Sequence, residues 1–402
     1  MKKTVLVLPG AVWQVPIVKK LKKIGFNVLS INPSENSATF PYVDGYLQED
    51  IFNEEAVLKY CKKNHVDAII SEECDIAMPL ISKYGKKLGL SVLSEEAAHL
   101  FTDKFAMREH CKKIGVPYPE FCLCHNINEA VDFYKSLNTK LIMKPLDSNS
   151  SRGVFIIENE KDILSFFEES IKFSRICNAV LLERYIEGKE FTIDGIKTPN
   201  KHYSIAISEK KHFSHNKNIA EELYFTHSND VYDYELLKEV NDKFIDNSCL
   251  EFGLTHAEYK YENGVYYLIE VGSRGGGNRI SSDIVPFMTG IDNYKYLIEC
   301  SLGKIENIDF TVNEKYKCRA AVLKFFETPG EGGFVKKIEG EDFLKKNENI
   351  AAYEFNFKPG DYIENAKNDA ARVGYYIACC ETKKDLDKLM KSINDKFRII
   401  LE

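Results

Sequence analysis

The chain is short of several things that would each have marked a class of protein. Proline and glycine number only 12 and 23 in 402 residues, against 44% apolar and 29% charged residues, which excludes collagen-like repeats and wholesale disorder. Basic residues are not in excess. Lys plus Arg count 54 against 61 Asp plus Glu, a net charge of -7, and the lysines are interleaved with acids or sit in pairs. No footprint for nucleic acid is expected. No apolar run reaches the length of about 18 residues that spans a bilayer, so no membrane partner is expected. The basic start Met1-Lys2-Lys3 and the apolar stretch to Trp13 imitate a signal peptide, but Pro9-Gly10 interrupts the run and no small-x-small site follows. The cysteines are 11, an odd number with Cys379 and Cys380 adjacent, which suits a reducing cytoplasm better than a disulfide framework. Cys122-Leu123-Cys124-His125 lacks the second pair that a tetrahedral zinc site takes from elsewhere, and buried thiols are the better reading.

What is present is enough chain for two or three lobes, since a single core stops growing at roughly 250–300 residues. Val5 to Leu8, Phe26 to Ile31 and Val66 to Ile70 read as strands, with helices between and after them at Ile17 to Ile24, Glu54 to Lys63 and Ile76 to Leu88. Such a β-α-β-α-β series predicts a parallel sheet with crossover helices. A nicotinamide site is not expected there. Only Gly10 stands where G-x-G-x-x-G would be needed, and no acid ends the second strand. From about Lys140 the pattern becomes strands joined by hairpins, with helices at Lys161 to Phe173 and Tyr234 to Phe252. The last part holds strands at Ala320 to Phe326 and Tyr375 to Cys379 and a charged helix from Lys383.

Three segments could carry chemistry. The strand ending Met143-Lys144-Pro145 runs into Asp147-Ser148-Asn149-Ser150-Ser151-Arg152-Gly153. Small hydroxylated residues can fold N–H and O–H groups round phosphate oxygens while Lys144 and Arg152 add charge. By itself the segment equally describes a polar hairpin loop, the commoner case. The second runs from Leu181 through Glu183, Glu187 and Gly188 to Glu190 and Asp194, either an acidic sheet edge or a hinge that offers an adenine its backbone and a ribose a carboxylate. The third, His256 to Arg279, holds Glu258 and Glu270 on the arms of a hairpin around Asn263-Gly264. Their spacing puts both carboxylates on one face only if the loop is odd or the hairpin bulged, and a three-residue loop closed by Gly264 is expected. Two adjacent carboxylates repel unless a cation lies between them, which suits Mg²⁺ shared with phosphates. Arg274 and the glycines that follow would let a substrate carboxylate approach a bidentate arginine.

In this order the segments resemble the ATP-grasp superfamily, and within it the carboxylate-amine ligases, the group that includes biotin carboxylase, D-alanine-D-alanine ligase and bacterial L-amino acid ligases. Thr102-Asp103-Lys104 and Gly115-Val116-Pro117-Tyr118-Pro119 are similar to the elements that precede that family's nucleotide lid. The resemblance implies an α/β ATP-grasp fold: a parallel N-terminal lobe over 1–101, an α+β ATP-grasp domain over 102–310 with its lid at about 115–185, and an α+β C-terminal section over 311–402. It implies ATP as cofactor, with Lys104, Lys144, Ser150, Ser151, Arg152 and Gly153 around the phosphates. Glu183 would mark the adenine hinge, Ile186 would lie near the base and Glu190 would reach the ribose. Glu258 and Glu270 would bind Mg²⁺, with Mn²⁺ as a substitute. Arg274 would be the catalytic residue that holds the acceptor carboxylate. The implied activity joins a small-molecule carboxylate to an amine through an acyl phosphate, and a homodimer is compatible with it. Other acceptors, as in purine-pathway or sugar-modifying ligases, and a non-catalytic ATP-binding regulator are the alternatives. One departure stands out. Gly272 occupies the place of the family's usual Asn, two positions after the second metal glutamate.

Overall fold

The computed structural model describes residues 2–148, 152–175 and 177–402. The chain opens with a parallel sheet in the order Gly45–Gln48, Asn27–Asn32, Thr4–Val7, Ala68–Ile70. Thr4–Val7 and Ala68–Ile70 are buried throughout, as strands covered on both faces must be, and this is why they read as short unbroken apolar runs. The helix Val15–Ile24 lays Ile17, Val18 and Leu21 on the sheet and ends at Gly25, whose φ of 104° closes it in the left-handed region. Gly45–Gln48 was not anticipated. It is one of the two edge strands, it alternates between half-buried and exposed, and it carries little apolar signal.

An antiparallel sheet of Phe121–Cys124, Val180–Arg184, Leu141–Lys144 and Phe155–Ile157 follows, with Val180–Arg184 paired on both sides. The helices Ile127–Leu137 and Glu160–Ile171 cover it and share its separate core around Met143, Ile163, Phe167 and Leu182. Cys124 lies in that core, as a buried thiol should.

The largest element is an eight-stranded antiparallel sheet in the order Val265–Gly272, Gly253–Glu262, Lys189–Lys197, His202–His212, Ala220–Thr226, Ala320–Phe325, Gly374–Cys380, Ile350–Phe355. Strands from both sides of residue 310 therefore share one sheet, joined at Ala220–Thr226 and Ala320–Phe325. The helix Tyr234–Asp246 packs on it but stops before the expected Phe252, at the point where Asn247 Nδ2 and Ser248 Oγ donate back to the carbonyls of Lys243 and Ile245 and cap the last turn. Among the described residues no helix is long and apolar enough to cross a membrane.

Candidate active site

The hairpin Gly253–Glu262 and Val265–Gly272 places Glu258 directly opposite Glu270, on one face. The expected loop was wrong. Asn263 and Gly264 have φ of 52° and 88°, and Glu262 pairs with Val265, so the turn is a regular two-residue one of the type that Asn-Gly favours. The extra residue is Ile269: Tyr259 pairs with Leu268 but Glu258 with Glu270. The bulged carbonyl of Ile269 accepts a bond of 2.6 Å from Nη2 of Arg108. A long-range partner, invisible to local reading, thus decides where the bulge sits.

Each carboxylate meets a lysine. Lys104 Nζ lies 2.9 Å from Glu270 and also donates to the carbonyl of Ser148. Lys210 Nζ lies 3.0 Å from Glu258 and 2.6 Å from Glu190. His212 adds a ring nitrogen 3.3 Å from Glu190. Burial alone would raise the Glu190 carboxyl, but Lys210 and His212 outweigh it and hold it far below the usual range. Lys210 was not singled out in the sequence, where Lys210-Lys211 resembles any solvated pair. It lies on a central strand, and burial opposes its charge while Glu190 and Glu258 secure it.

Beneath these lies a fully buried ion triad. Glu183 accepts from Lys144 Nζ at 2.6 Å and from Nε of Arg108, and the three side chains are at most 5% exposed. Burial would raise the Glu183 carboxyl, yet Arg108 and Lys144 bring it below its ordinary value. For Lys144 burial prevails over Glu183 and lowers the ammonium pKa. A desolvated cation of this kind gains from an incoming anion. Glu183 is paired on both backbone edges, to Phe121 and Ile142, so the chain leaves the sheet only after it, where it borders the cleft. Ile186 is 3% exposed and its carbonyl accepts from Lys260 Nζ at 3.2 Å.

Lys104, Lys144, Glu183, Ile186, Glu190, Glu258 and Glu270 all line one narrow cleft of about 110 Å³, with Ile142, Val154 and Ile186 as its apolar part. Ser150 and Ser151 fall outside the described residues. Arg152 is exposed, its carbonyl accepting from the Ser148 hydroxyl, and Gly153 is buried with φ of 73°.

Arg274 lines a second, larger cavity of about 440 Å³, which shares Lys210, Glu258 and Glu270 with the cleft. Its fork is already engaged: Nε and Nη2 bind the two oxygens of Asp75 at 2.9 and 2.8 Å. Burial disfavours the charges, but the pair overrides it, raising the guanidinium and lowering the Asp75 carboxyl. Asp75 ends the run Ser71-Glu72-Glu73-Cys74-Asp75, which leaves the carboxyl end of Ala68–Ile70. Ligand-facing residues gather at that end of parallel strands, and this was the available signal.

The same pair explains Gly272. A Cβ there would stand 2.7 Å from Asp75 Oδ1 and 3.2 Å from Arg274 Nε, so an asparagine has no room. Gly272→Asn is expected to displace the Asp75–Arg274 pair and lower kcat roughly 100-fold, the scale of a misplaced reacting group, rather than restore a missing ligand. Steady-state phosphate release from ATP checks this, and a gain in rate would contradict it. Gly275 and Gly276 likewise serve close packing, their N–H groups donating to Glu72 at 2.8 Å and Asp194 at 3.0 Å.

Burial pushes the Glu72 carboxyl up to about 7, against the N–H groups of Gly275 and Glu73, and raises Glu73 well above 4.5. The folded state then keeps a proton that the unfolded chain releases. The stability tied to it is full below pH 4.5, falls as pH rises towards about 7, and is flat above that. The loss is of order 3 kcal/mol. Glu72→Gln is expected to make the urea midpoint less dependent on pH across that window and to raise it at about pH 8. An unchanged slope would contradict it.

Among the described residues no three His, Cys, Asp or Glu side chains gather as a metal cage. Two hard carboxylates on a shared cavity wall fit a Mg²⁺ or Mn²⁺ ion that keeps water and phosphate oxygens in the rest of its shell, and do not suit zinc.

Residues 137–283 match the ATP-grasp domain, and residues 325–402 match L-amino acid ligase C-terminal domain 2. The chain therefore contains an ATP-grasp domain, followed by a segment like the C-terminal domain of the L-amino acid ligases. An L-amino acid ligase structure from Bacillus licheniformis superposes with a TM-score of 0.82 at 19% identity, covering 100% of this chain and 99% of that one. The biotin carboxylase domain dimer of 2-oxoglutarate carboxylase from Hydrogenobacter thermophilus, a complex with MgADP, ADP and bicarbonate, gives 0.77 at 16% identity over 100% and 91%. In sequence, the large chain of carbamoyl phosphate synthase from Pyrococcus furiosus is 23% identical over 223 residues, 51% of this chain and 21% of that protein. The chain thus spans about a fifth of the length of that curated relative.

Proposed function

We propose that this chain is an ATP- and Mg²⁺-dependent carboxylate-amine ligase that forms an amide or peptide bond through an acyl phosphate, releasing ADP and phosphate. The observation that carries the reading is the common wall: Glu258, Glu270 and Lys210 border both the narrow cleft and the large cavity. A phosphoryl donor in one and an acceptor in the other would meet there.

In this reading the apolar end of the cleft takes the adenine past the hinge at Glu183 to Ile186, and Glu190 takes the ribose. Lys104 and Lys144, with Ser150, Ser151, Arg152 and Gly153, would take the phosphates, and Glu258 with Glu270 would hold a divalent ion that supplies positive charge to the transferred group. A carboxylate oxygen attacks the γ-phosphorus and ADP leaves. The amine then attacks the carbonyl carbon, the C–N bond forms, the bond to phosphate breaks, and the amine proton passes to solvent. Arg274, held by Asp75 on the wall of the large cavity, would offset charge that develops on the acceptor carboxylate. No side chain serves as nucleophile, so positioning, cations and exclusion of water carry the rate.

A phosphate-release screen of amino acids, singly and in pairs with small carboxylates, tests this. ADP and phosphate are expected in quantity only when a carboxylate and an amine are both present. ATP binding without turnover across the panel would favour a regulatory protein, and turnover only with purine precursors would favour a different acceptor.

A further inference from the structure

We infer that Arg372 holds the non-reacting carboxylate of the amino acid that supplies the amine, and so makes a free carboxylate a requirement of that substrate. This rests on the ligase reading above. Three cationic side chains border the large cavity. Arg274 is committed to Asp75, and Lys210 to Glu190 and Glu258. Arg372 is held differently. It precedes the strand Gly374–Cys380, lies in the segment matched to the L-amino acid ligase C-terminal domain, and is 9% exposed. Its guanidinium carbon stacks 3.7 Å from the centre of the Phe325 ring. Nε donates to the Ala220 carbonyl at 3.1 Å, and Nη2 is paired with Asp369. Nη1 has no partner among the described residues.

A guanidinium fixed on three sides with one donor group left is preorganised for an anion. Burial depresses its pKa in spite of Asp369, so an anion arriving there is favoured further. Which anion follows from the surroundings. The reacting carboxylate belongs at the wall of Glu258, Glu270 and Lys210. The charges of Asp369 and Glu258 also reach Arg372, and the same cavity is bordered by Phe325, which Arg372 stacks on, and by Trp13, Leu223 and Leu323, an apolar surface suited to an amino-acid side chain and not to a sugar.

Trp13 is the only tryptophan in the chain and borders this cavity, so its fluorescence reads binding without turnover. Wild-type protein with ATP and Mg²⁺ is titrated with L-leucine and L-phenylalanine, with their amides, and with ribose 5-phosphate. The free acids are expected to bind more tightly than the amides by roughly 10- to 100-fold, the range of one charged hydrogen bond. Arg372→Ala should erase the preference, raising KM for the amino acid and leaving KM for ATP unchanged. Arg372→Lys keeps the charge without the fork, covers the case in which the alanine variant fails to fold, and should retain only part of the preference. Full preference in either folded variant, no response to either amino acid, or tighter binding of ribose 5-phosphate would overturn the assignment. An Arg372-dependent preference without ligase turnover would keep this subsite and reject the ligase reading. Turnover indifferent to Arg372 would do the reverse.

Discussion

Glu258→Gln and Glu270→Gln are each expected to lower kcat/KM for ATP by roughly 10²- to 10³-fold, the loss typical of one charge-stabilising group at a transferred phosphoryl. Glutamine keeps an oxygen for Lys104 or Lys210 and removes only the charge, so the lysine contacts at 2.9 and 3.0 Å need not be lost. If the two carboxylates hold one ion, the double variant should be far less than the product of the single losses, because either change already removes the shared site. The Mg²⁺ concentration for half-maximal rate should also rise in each single variant. Multiplicative losses with an unchanged Mg²⁺ requirement would mean that the pair holds its lysines and no ion.

Glu183→Gln is expected to destabilise the fold by about 3–5 kcal/mol, because it leaves Arg108 and Lys144 buried without their counter-charge. Both cations are at most 5% exposed on their side chains, so solvent cannot replace the lost carboxylate. The native Glu183 pKa lies below 4.5, so its contribution is complete above pH 4.5 and fades as pH falls through the lower, folded value. Urea unfolding at neutral pH and at about pH 3 measures both effects: the gap between wild type and variant should narrow in acid. A gap of under about 1 kcal/mol at neutral pH would reduce the triad to the worth of a surface pair.

Features that depend on alternation or on a local turn were legible in the sequence. The hairpin follows from Asn263-Gly264 and the first lobe from its apolar runs, but counting round a two-residue turn sets Glu258 and Glu270 on opposite faces, and only the bulge at Ile269 brings them onto one. Features set by partners far along the chain were not. The bulge at Ile269 depends on Arg108, the absence of room at Gly272 on Asp75, and the setting of Arg372 on Ala220 and Phe325. Lys210 was hidden for a different reason. Its neighbour Lys211 is exposed and pairs with Glu221, and a strand sends alternate side chains to opposite faces, so one lysine of the pair faces the cleft and the other solvent. The resemblance to ATP-grasp enzymes singled out Lys104 and Lys144 but gave no hint that Glu183 joins Lys144 to a second buried cation.

The central claim is that the γ-phosphoryl group passes to a carboxylate, and one isotope measurement reads it directly. The amino acid that supports turnover is labelled with ¹⁸O in both carboxylate oxygens, and the phosphate released during amide formation is analysed by mass or by ³¹P shift. An acyl phosphate keeps one carboxylate oxygen on phosphorus when the amine displaces it, so each phosphate should carry one ¹⁸O and the nucleotide product should be unlabelled ADP. Label in AMP would show adenylation, and unlabelled phosphate beside ADP would show hydrolysis of ATP uncoupled from the carboxylate; either contradicts the mechanism.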